Sequence, residues 1–546
     1  FISRLPLNEM EHVGSNFRNL AINVVNHRET NLALSSLIIV LSIYVTIVSV
    51  LRRPFVHPLI ASTDFNETFM SEESIDYKYS TMSYIMLWLC AIIFGRIISF
   101  AKLPSLLGVL LVGIAFKNIP FMSGLLLLDK GISDVLRKAA FSIILIRIAM
   151  GFDTGLFRKA NCLILRLGAI STLCEIIAIT VTAHFIFCVD LRMAILFGIV
   201  LTASASAIIF PILANLMAEG YGIGSPFCDV LQSSVPLDNL LCICSLHIAT
   251  AIVFAVDISY ETGIMFAQLI VGIISGFIGG LVLWWLPRYD AEHTHFIRCA
   301  MLISTALAFL FGSWTIGCQS GGVFAIAVLT IIAVYRWKLD NRFKISKEEE
   351  AFTVIFQLFS MPVMFALIGY DFEITNLDKE TVLTGLAIMG IGLLIRFISA
   401  FLLSFCAGLT LAEQALMSIV LLSKATIQAA LPPQIVVRSF GTMHAHTAVL
   451  ISASCVLAII ITAPIGQLLI FLGPRVLRVR DANQLCSNIS TKEHQTPART
   501  YPLSMFCEKE RSEWNIKCHI RSPAGKRWPE NLNCIVGKKK ILDIFM

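Results

Sequence analysis

The segment SSVPLDNLLCICS, residues 233–245, places one carboxylate, Asp238, inside an apolar run that extends from Phe227 to Val256. That run is long enough to cross a bilayer, since about 20 residues suffice. A charge at the bilayer centre costs about 2.5–3.5 kcal/mol on insertion scales, so it is rare without a partner or a function. The segment therefore predicts a membrane-spanning helix. Asp238 is either half of a buried ion pair or part of an ion path, and we favour the path.

The composition extends this interpretation to the whole chain. Of its 546 residues, 57% are hydrophobic and 14% are charged, and the mean hydropathy is +0.80, whereas soluble proteins carry about 25% charge. The fifteen cysteines contain no CxxC pair, so neither a disulfide framework nor a zinc site is indicated. We expect an all-α polytopic membrane protein with about 14 transmembrane helices. The predicted spans are 34–51, 83–101, 103–119, 135–152, 162–187, 192–217, 227–256, 263–286, 297–314, 320–335, 352–370, 381–408, 414–436 and 445–472.

Loop charges predict the orientation, because cytoplasmic loops carry the excess of Lys and Arg. The basic loops and tail place both termini in the cytoplasm. The loop at 54–82 then faces outward, where Asn66 begins an Asn-Glu-Thr triplet, a candidate for glycosylation. The basic tail is expected to be loosely folded and attracted to anionic membrane lipid. The predicted divisions are a cytoplasmic segment 1–33, an extra helix 34–51, an extracytoplasmic loop 54–82, a transport domain 83–473 and a cytoplasmic tail 474–546.

An internal repeat points to the functional site. IRIAMGFD at 146–153 resembles MFALIGYD at 364–371, with an offset of 218 residues. The same offset aligns Ser206, in TASASAIIFP (202–211), with Lys424, in LSKATIQAALPP (422–433). Each of these two segments interrupts an apolar helix with small and polar residues. Interrupted helices at matching positions in two halves indicate an ion or substrate site in transporters, although small residues also serve helix packing.

Further charges lie inside predicted spans. Glu175 and Arg396 have opposite signs, as do Asp238 and Lys424. Because each buried charge requires a partner, we predict an Asp238–Lys424 pair at the site and a structural Glu175–Arg396 pair.

Several further motifs are spread over roughly residues 83–478. They are KLPSLLGVLLVGIAFKNIP (102–120), IILIRIAMGFD (143–153), GYG (220–222), PLDNLLCI (236–243), LIGYDFEI (367–374), LLIRF (393–397), LLSKATIQAA (421–430) and ITAPIGQLLIFLGPR (461–475). Together they resemble the NHA group of sodium/proton antiporters, the sodium/hydrogen exchanger 9B group. The resemblance implies two inverted repeats with crossed broken helices, a mobile ion-binding core and a homodimer to which the helix 34–51 contributes.

The sequence departs from this family at three places. Asn239 stands where the family has a second aspartate, its principal cation ligand. Ala205-Ser206 replaces a Ser-Pro pair, and Ser423 replaces the proline before Lys424. These departures put the usual ion stoichiometry in question and leave the fold unaffected.

These features favour a secondary active antiporter that exchanges sodium or lithium for protons by alternating access, with Asp238 as the titrating group. The expected cation ligands are Asp238, Asn239, Ser206 and freed backbone carbonyls, and Thr202, Ser204 and Lys424 complete the predicted site. Two alternatives stay open, namely proton transport linked to an anion such as chloride, and a transport-impaired paralogue.

Other function classes are not favoured. The chain has no GxxxxGK[ST] loop for an ATP-driven pump. We expect a transporter rather than an enzyme, with no cofactor, no metal beyond the transported cation and no nucleic-acid partner. It would lie in the plasma membrane or an organelle membrane.

Overall fold

Long apolar segments in this chain form helices because a helix satisfies its own backbone hydrogen bonds in a medium that offers none. A computed structural model describes residues 28–51, 70–123, 126, 128–152, 162–219, 221, 226–255, 258–287, 293–340, 346–376, 379–405, 407–477, 505–509 and 516–520. The chain divides into two units, Phe1–Val479 and Arg480–Met546.

The described residues of the first unit are almost entirely helical, and they include two short helical turns at Pro120–Ser123 and Ile374–Asn376. In chain order the helices are α1 (Arg28–Leu51), α2 (Met70–Phe100), α3 (Ser105–Asn118), α4 (Lys130–Met150), α5 (Cys162–Ile186), α6a (Leu191–Thr202), α6b (Ser206–Ala218), α7 (Phe227–Val253), α8 (Ile258–Trp285), α9 (Thr294–Thr315), α10 (Gln319–Asp340), α11 (Ser346–Ile355, continuing through Phe356–Ser360 to Met361–Tyr370), α12 (Lys379–Leu403), α13a (Leu411–Val420), α13b (Thr426–Ala430), α13c (Pro432–Ser439) and α14 (Ala445–Val476).

The predicted spans coincide with these helices. In the described ranges, eleven helices are long and apolar enough to cross a membrane, and two apolar helices, α3 and α13a, are shorter. The chain is therefore an all-helical, multi-pass membrane protein in its first unit. The number of fourteen crossings stays a prediction, because α3, the charged α4 and the broken α13 do not meet the same criterion.

Two predicted boundaries and the predicted character of the tail differ from the structure. Helix α1 begins at Arg28, before the predicted boundary at 33/34, and α2 begins at Met70, inside the segment predicted as the loop 54–82. The tail, expected to be loosely folded, contains an antiparallel pair of strands, β1 (Met505–Lys509) and β2 (Ile516–Ile520). Asn66 lies outside the described residues.

Two helices break where the repeat predicts. Helix α6 is interrupted at 203–205, where Ala205 has φ −80° and ψ 80°. Helix α13 is interrupted at 421–425, where Ala425 has φ −161° and ψ −73°. These conformations lie outside the α region, so the series of intrahelical hydrogen bonds stops in both helices. The breaks leave helix ends, with their unpaired backbone groups, in the interior of the first unit.

Glycines allow α3 and α11 to touch through their backbones. A Cβ on Gly113 would lie 2.9 Å from Tyr370 N and closer still to Ala366 O, and one on Gly369 would meet Leu110 O. No such contact exists for Gly390 on α12, where a Cβ would meet nothing within 4 Å. The α3–α11 contact therefore requires glycine on both helices.

We expect Gly113→Ala to lower the thermal stability of the protein in detergent, because overpacking of this kind costs about 1–3 kcal/mol. The matched control is Gly390→Ala, which should be neutral or slightly stabilising because alanine is the better helix former. Thermal unfolding of the two purified variants tests this. Equal melting temperatures for both would contradict the proposed backbone contact.

Candidate functional site

The two breaks meet each other. Ala205 N donates a 2.8 Å hydrogen bond to Ser423 O, which joins the α6 break to the α13 break. These two residues are 218 apart, so the repeat offset pairs them as equivalent positions. The broken helices thus cross at their interrupted segments, as predicted, and Asp238 of α7 lies beside the crossing.

Five donor contacts surround the buried carboxylate of Asp238, which has no exposed surface. Its Oδ2 accepts from Ser204 N at 3.1 Å, Ser204 Oγ at 2.5 Å and Arg396 Nη2 at 3.1 Å. Its Oδ1 accepts from Thr172 Oγ1 at 2.8 Å, and Cys242 Sγ lies 3.7 Å away. The carboxylate is thus held by the α6 break and by side chains of α5, α7 and α12.

The ion pairs differ from those predicted. Lys424 Nζ lies 2.9 Å from Glu175 Oε2 and also contacts Thr202 O, while Arg396 Nη2 contacts Asp238. The predicted Asp238–Lys424 pair is wrong. Glu175 and Arg396 do meet, with Nε and Oε2 3.7 Å apart, but Lys424 is the closer partner of Glu175. Lys424 takes this position because Glu175 and the carbonyl end of α6a, which carries partial negative charge, both attract it.

The cluster is balanced in charge and almost completely buried. Asp238 and Glu175 carry two negative charges, and Arg396 and Lys424 carry two positive charges when all four are ionised. Each side chain is at most 1% exposed. Removing one partner of such a pair leaves an uncompensated charge, which is more costly than removing both.

The predicted ligand residues line the same region. Asn239 is fully buried, and among the described residues neither its Oδ1 nor its Nδ2 has a hydrogen-bond partner. Thr202 Oγ1 donates to Gly198 O at 2.7 Å, so its hydroxyl serves its own helix while its carbonyl faces Lys424. Ser206 begins α6b, and its N–H donates to Ser204 O at 3.0 Å. The transport roles of these residues stay predictions.

The role of freed backbone carbonyls as cation ligands stays a prediction, but side chains of α13 contact those at the end of α6a. Gln428 Nε2 donates to Val200 O and Leu201 O at 3.1 Å and to Ala203 O at 2.8 Å. Lys424 Nζ contacts the remaining carbonyl, that of Thr202. Side chains of α13 therefore already occupy the carbonyls that the break releases.

Sequence reasoning missed three polar residues of the site. Thr172 lies one turn before Glu175, and a π-helical turn at Arg166–Ile170 precedes it. Gln428 lies four residues after Lys424, and a second polar residue at this spacing in an apolar helix could have been recognised from the sequence. Thr462 of α14 accepts from Lys424 N at 2.8 Å. The threonines carried no signal, because threonine in membrane helices commonly bonds to its own backbone.

Comparison with known proteins identifies the family. Residues 85–471 match the family model described as sodium/hydrogen exchanger, transmembrane. The chain belongs to the sodium/hydrogen exchanger family. It is 28% identical to human sodium/hydrogen exchanger 9B1 over 416 residues, which cover 74% of this chain and 80% of that protein. It is 30% identical to mouse sodium/hydrogen exchanger 9B2 over 407 residues, or 72% of this chain and 73% of that protein.

Solved structures show the same fold. The sodium proton antiporter MjNhaP1 from Methanocaldococcus jannaschii at pH 8 superposes with a TM-score of 0.57 at 14% identity. The match covers 74% of this chain and 99% of that one. Family membership therefore makes this chain a multi-pass membrane transporter of the cation/proton antiporter class rather than an enzyme.

The Glu175–Lys424 pair leads to a stability prediction. Glu175→Gln or Lys424→Gln alone should each cost about 3–5 kcal/mol, because each leaves a buried charge unpaired. The double variant should cost less than the sum of the two. Thermal unfolding of the three variants in detergent gives the coupling energy. The matched cycle of Glu175→Gln with Arg396→Gln should give a smaller coupling, and a larger one would contradict the assignment of Lys424 as principal partner.

Proposed function

We propose that this exchanger carries sodium or lithium in exchange for protons, and that Asp238 binds cation and proton in turn. The observation that carries the proposal is the position of the Asp238 carboxylate, fully buried and bonded to the break of α6. A buried acid at an interrupted helix is a typical component of ion and proton paths. The cation and the proton would compete for the same carboxylate, which couples their movements.

Arg396 acts as the resident counter-ion of Asp238 in this proposal. A guanidinium remains protonated, so it can neutralise the carboxylate without exchanging protons itself. Its Nη2 lies 3.1 Å from Asp238 and its Nε 3.7 Å from Glu175, so it contacts both acids. A sodium ion that arrives at Asp238 would move Arg396 toward Glu175. Because sodium and a proton each add one positive charge to the balanced cluster, the two loaded forms have equal charge.

Side-chain oxygens around Asp238 would complete the cation shell. Asn239 Oδ1 is a buried acceptor with no donor in the part of the chain that the structure describes. An unsatisfied buried carbonyl oxygen is costly unless something binds it. The hydroxyls of Ser204 and Ser206 are the remaining candidates. An amide oxygen attracts a cation less than a carboxylate does, so cation affinity should be lower than in relatives with two aspartates.

Alternating access and assembly complete the proposal. Movement of the helices around the crossing would expose Asp238 to each side in turn. The apolar helix α1, with Leu37, Val40 and Leu41 about 60% exposed, would contribute to a homodimer contact or face lipid. The basic tail would contact anionic membrane lipid.

Flux measurements on purified protein in liposomes test the function. We expect the pH inside the liposomes to change when sodium or lithium is added outside. It should not change when only the external potassium or chloride concentration is varied. If the proton flux responds to chloride but not to sodium, the cation antiporter is contradicted and the anion-linked alternative is supported. The amide at Asn239 is the observation that favours this alternative, because it removes a negative charge from the site.

A further inference from the structure

Gln428 of α13b makes an unusual set of contacts with the broken helix α6. Its Nε2 lies within hydrogen-bond distance of three carbonyls at the end of α6a, those of Val200, Leu201 and Ala203, at 2.8–3.1 Å. The residue has no exposed surface. An amide nitrogen has two hydrogens, so three acceptors share two donors. The opposite amide orientation would place Oε1 against three oxygens, so these carbonyls fix the side chain.

The end of α6a concentrates negative potential. The last carbonyls of a helix have no partner within it, and the aligned peptides place about half a negative charge there. In broken membrane helices such carbonyls are ready cation ligands. Here Gln428 and Lys424 occupy all four carbonyls from Val200 to Ala203. Lys424 adds a positive charge that Glu175 balances. Gln428 instead shares its two amide hydrogens among three carbonyls and adds no charge.

We propose that Gln428 is a specificity-determining residue that prevents the α6a carbonyls from binding the transported cation. Coordination is then restricted to the side-chain oxygens around Asp238, where a bound proton excludes the ion. Removal of the amide would release carbonyl ligands that no proton can titrate. Cation movement would then be possible without proton exchange. This inference rests on the proposed function, because it concerns how strictly cation and proton compete at Asp238.

Gln428→Leu is the informative variant, since it keeps the size of the side chain and removes its donors. In liposomes we expect the ratio of protons to sodium ions moved to fall at least about twofold, with the apparent KM for sodium changed. The double variant Asp238→Asn with Gln428→Leu should retain sodium flux that no longer moves protons. Asp238→Asn alone should show no sodium flux. Sodium-22 uptake and a pH-sensitive dye, measured on the same liposomes, report both quantities.

Gln414 of α13a provides the matched control. It is also a buried glutamine, and its Nε2 donates to a single carbonyl, Leu409 O, at 3.1 Å. Gln414→Leu should lower thermal stability but leave the proton-to-sodium ratio unchanged. If Gln428→Leu behaves in the same way, Gln428 is only a structural cap and the inference is wrong, while the proposed function stands.

A second variant covers the case in which Gln428→Leu does not fold. Gln428→Glu keeps the shape of the side chain, loses the donors and adds a carboxylate beside the released carbonyls. The apparent KM for sodium should fall and the proton-to-sodium ratio should drop. Unchanged values of both would overturn the inference. Coupled flux that persists in Asp238→Asn would instead overturn the proposed function itself.

Discussion

Asp238→Asn is expected to abolish sodium-coupled proton flux while the protein still inserts and assembles in the membrane. The amide has nearly the same shape as the carboxylate but cannot exchange a proton and attracts a cation far less. The loss should reach the detection limit of a liposome assay, since Asp238 is the carboxylate to which the α6 break donates through Ser204.

Asp134→Asn is the matched control for this experiment. Asp134 pairs with Lys138 on α4, and its side chain is 58% exposed, whereas Asp238 is fully buried. The exchange of an aspartate for an asparagine there should leave the flux unchanged, because exposed ion pairs contribute little. Normal flux in Asp238→Asn would contradict the site assignment.

The second large effect is expected at Asn239, where a carboxylate would create the pair of adjacent acids that the resemblance to the antiporter group implies. Asn239→Asp should lower the apparent KM for sodium or lithium at least about tenfold, equivalent to ~1.4 kcal/mol. A full negative charge in a poorly screened cavity attracts a cation more strongly than an amide dipole does. The new charge also repels the adjacent carboxylate of Asp238.

Currents on solid-supported membranes test this prediction. The variant should move a different net charge per transport cycle from the wild-type protein. Its site carries one more acidic residue, while the two basic residues, Arg396 and Lys424, are unchanged. Asn239→Ala, which removes the amide oxygen, should raise the KM instead. If Asn239→Asp gains no cation response while the wild-type protein responds to chloride, the result would contradict the cation antiporter and support the anion-linked alternative.

The sequence predicted the architecture more reliably than the contacts. Apolar runs located the helices, and the repeat offset of 218 located both breaks, because these features depend on composition and local order along the chain. The identities of the four buried charges were predicted, but the Asp238–Lys424 pairing was wrong. Long side chains such as Lys424 and Arg396 can reach several neighbours, so the choice depends on helix rotation and on acceptors such as Thr202 O.

The surroundings of the oxygen atoms near the crossing were only partly predictable, for a similar reason. A break in a helix releases carbonyls in general, but the sequence does not reveal which of them a neighbouring side chain will satisfy. Gln428 Nε2 lies within hydrogen-bond distance of three of those at the end of α6a. Thr172 was missed because its hydroxyl, which also lies 3.0 Å from Gly168 O, resembles the many threonines that bond only to their own helix.

The hydrogen bond between Ala205 N and Ser423 O has a mechanical consequence. It joins the midpoints of two helices that have lost their own continuity, and Lys424 and Gln428 fasten the α6a end to the same partner. Sliding of one broken helix along the other would rupture all of these bonds in a medium that offers no replacement. The crossing should therefore move as a rigid body. The hinges that allow the site to open to one compartment and then to the other must lie outside it.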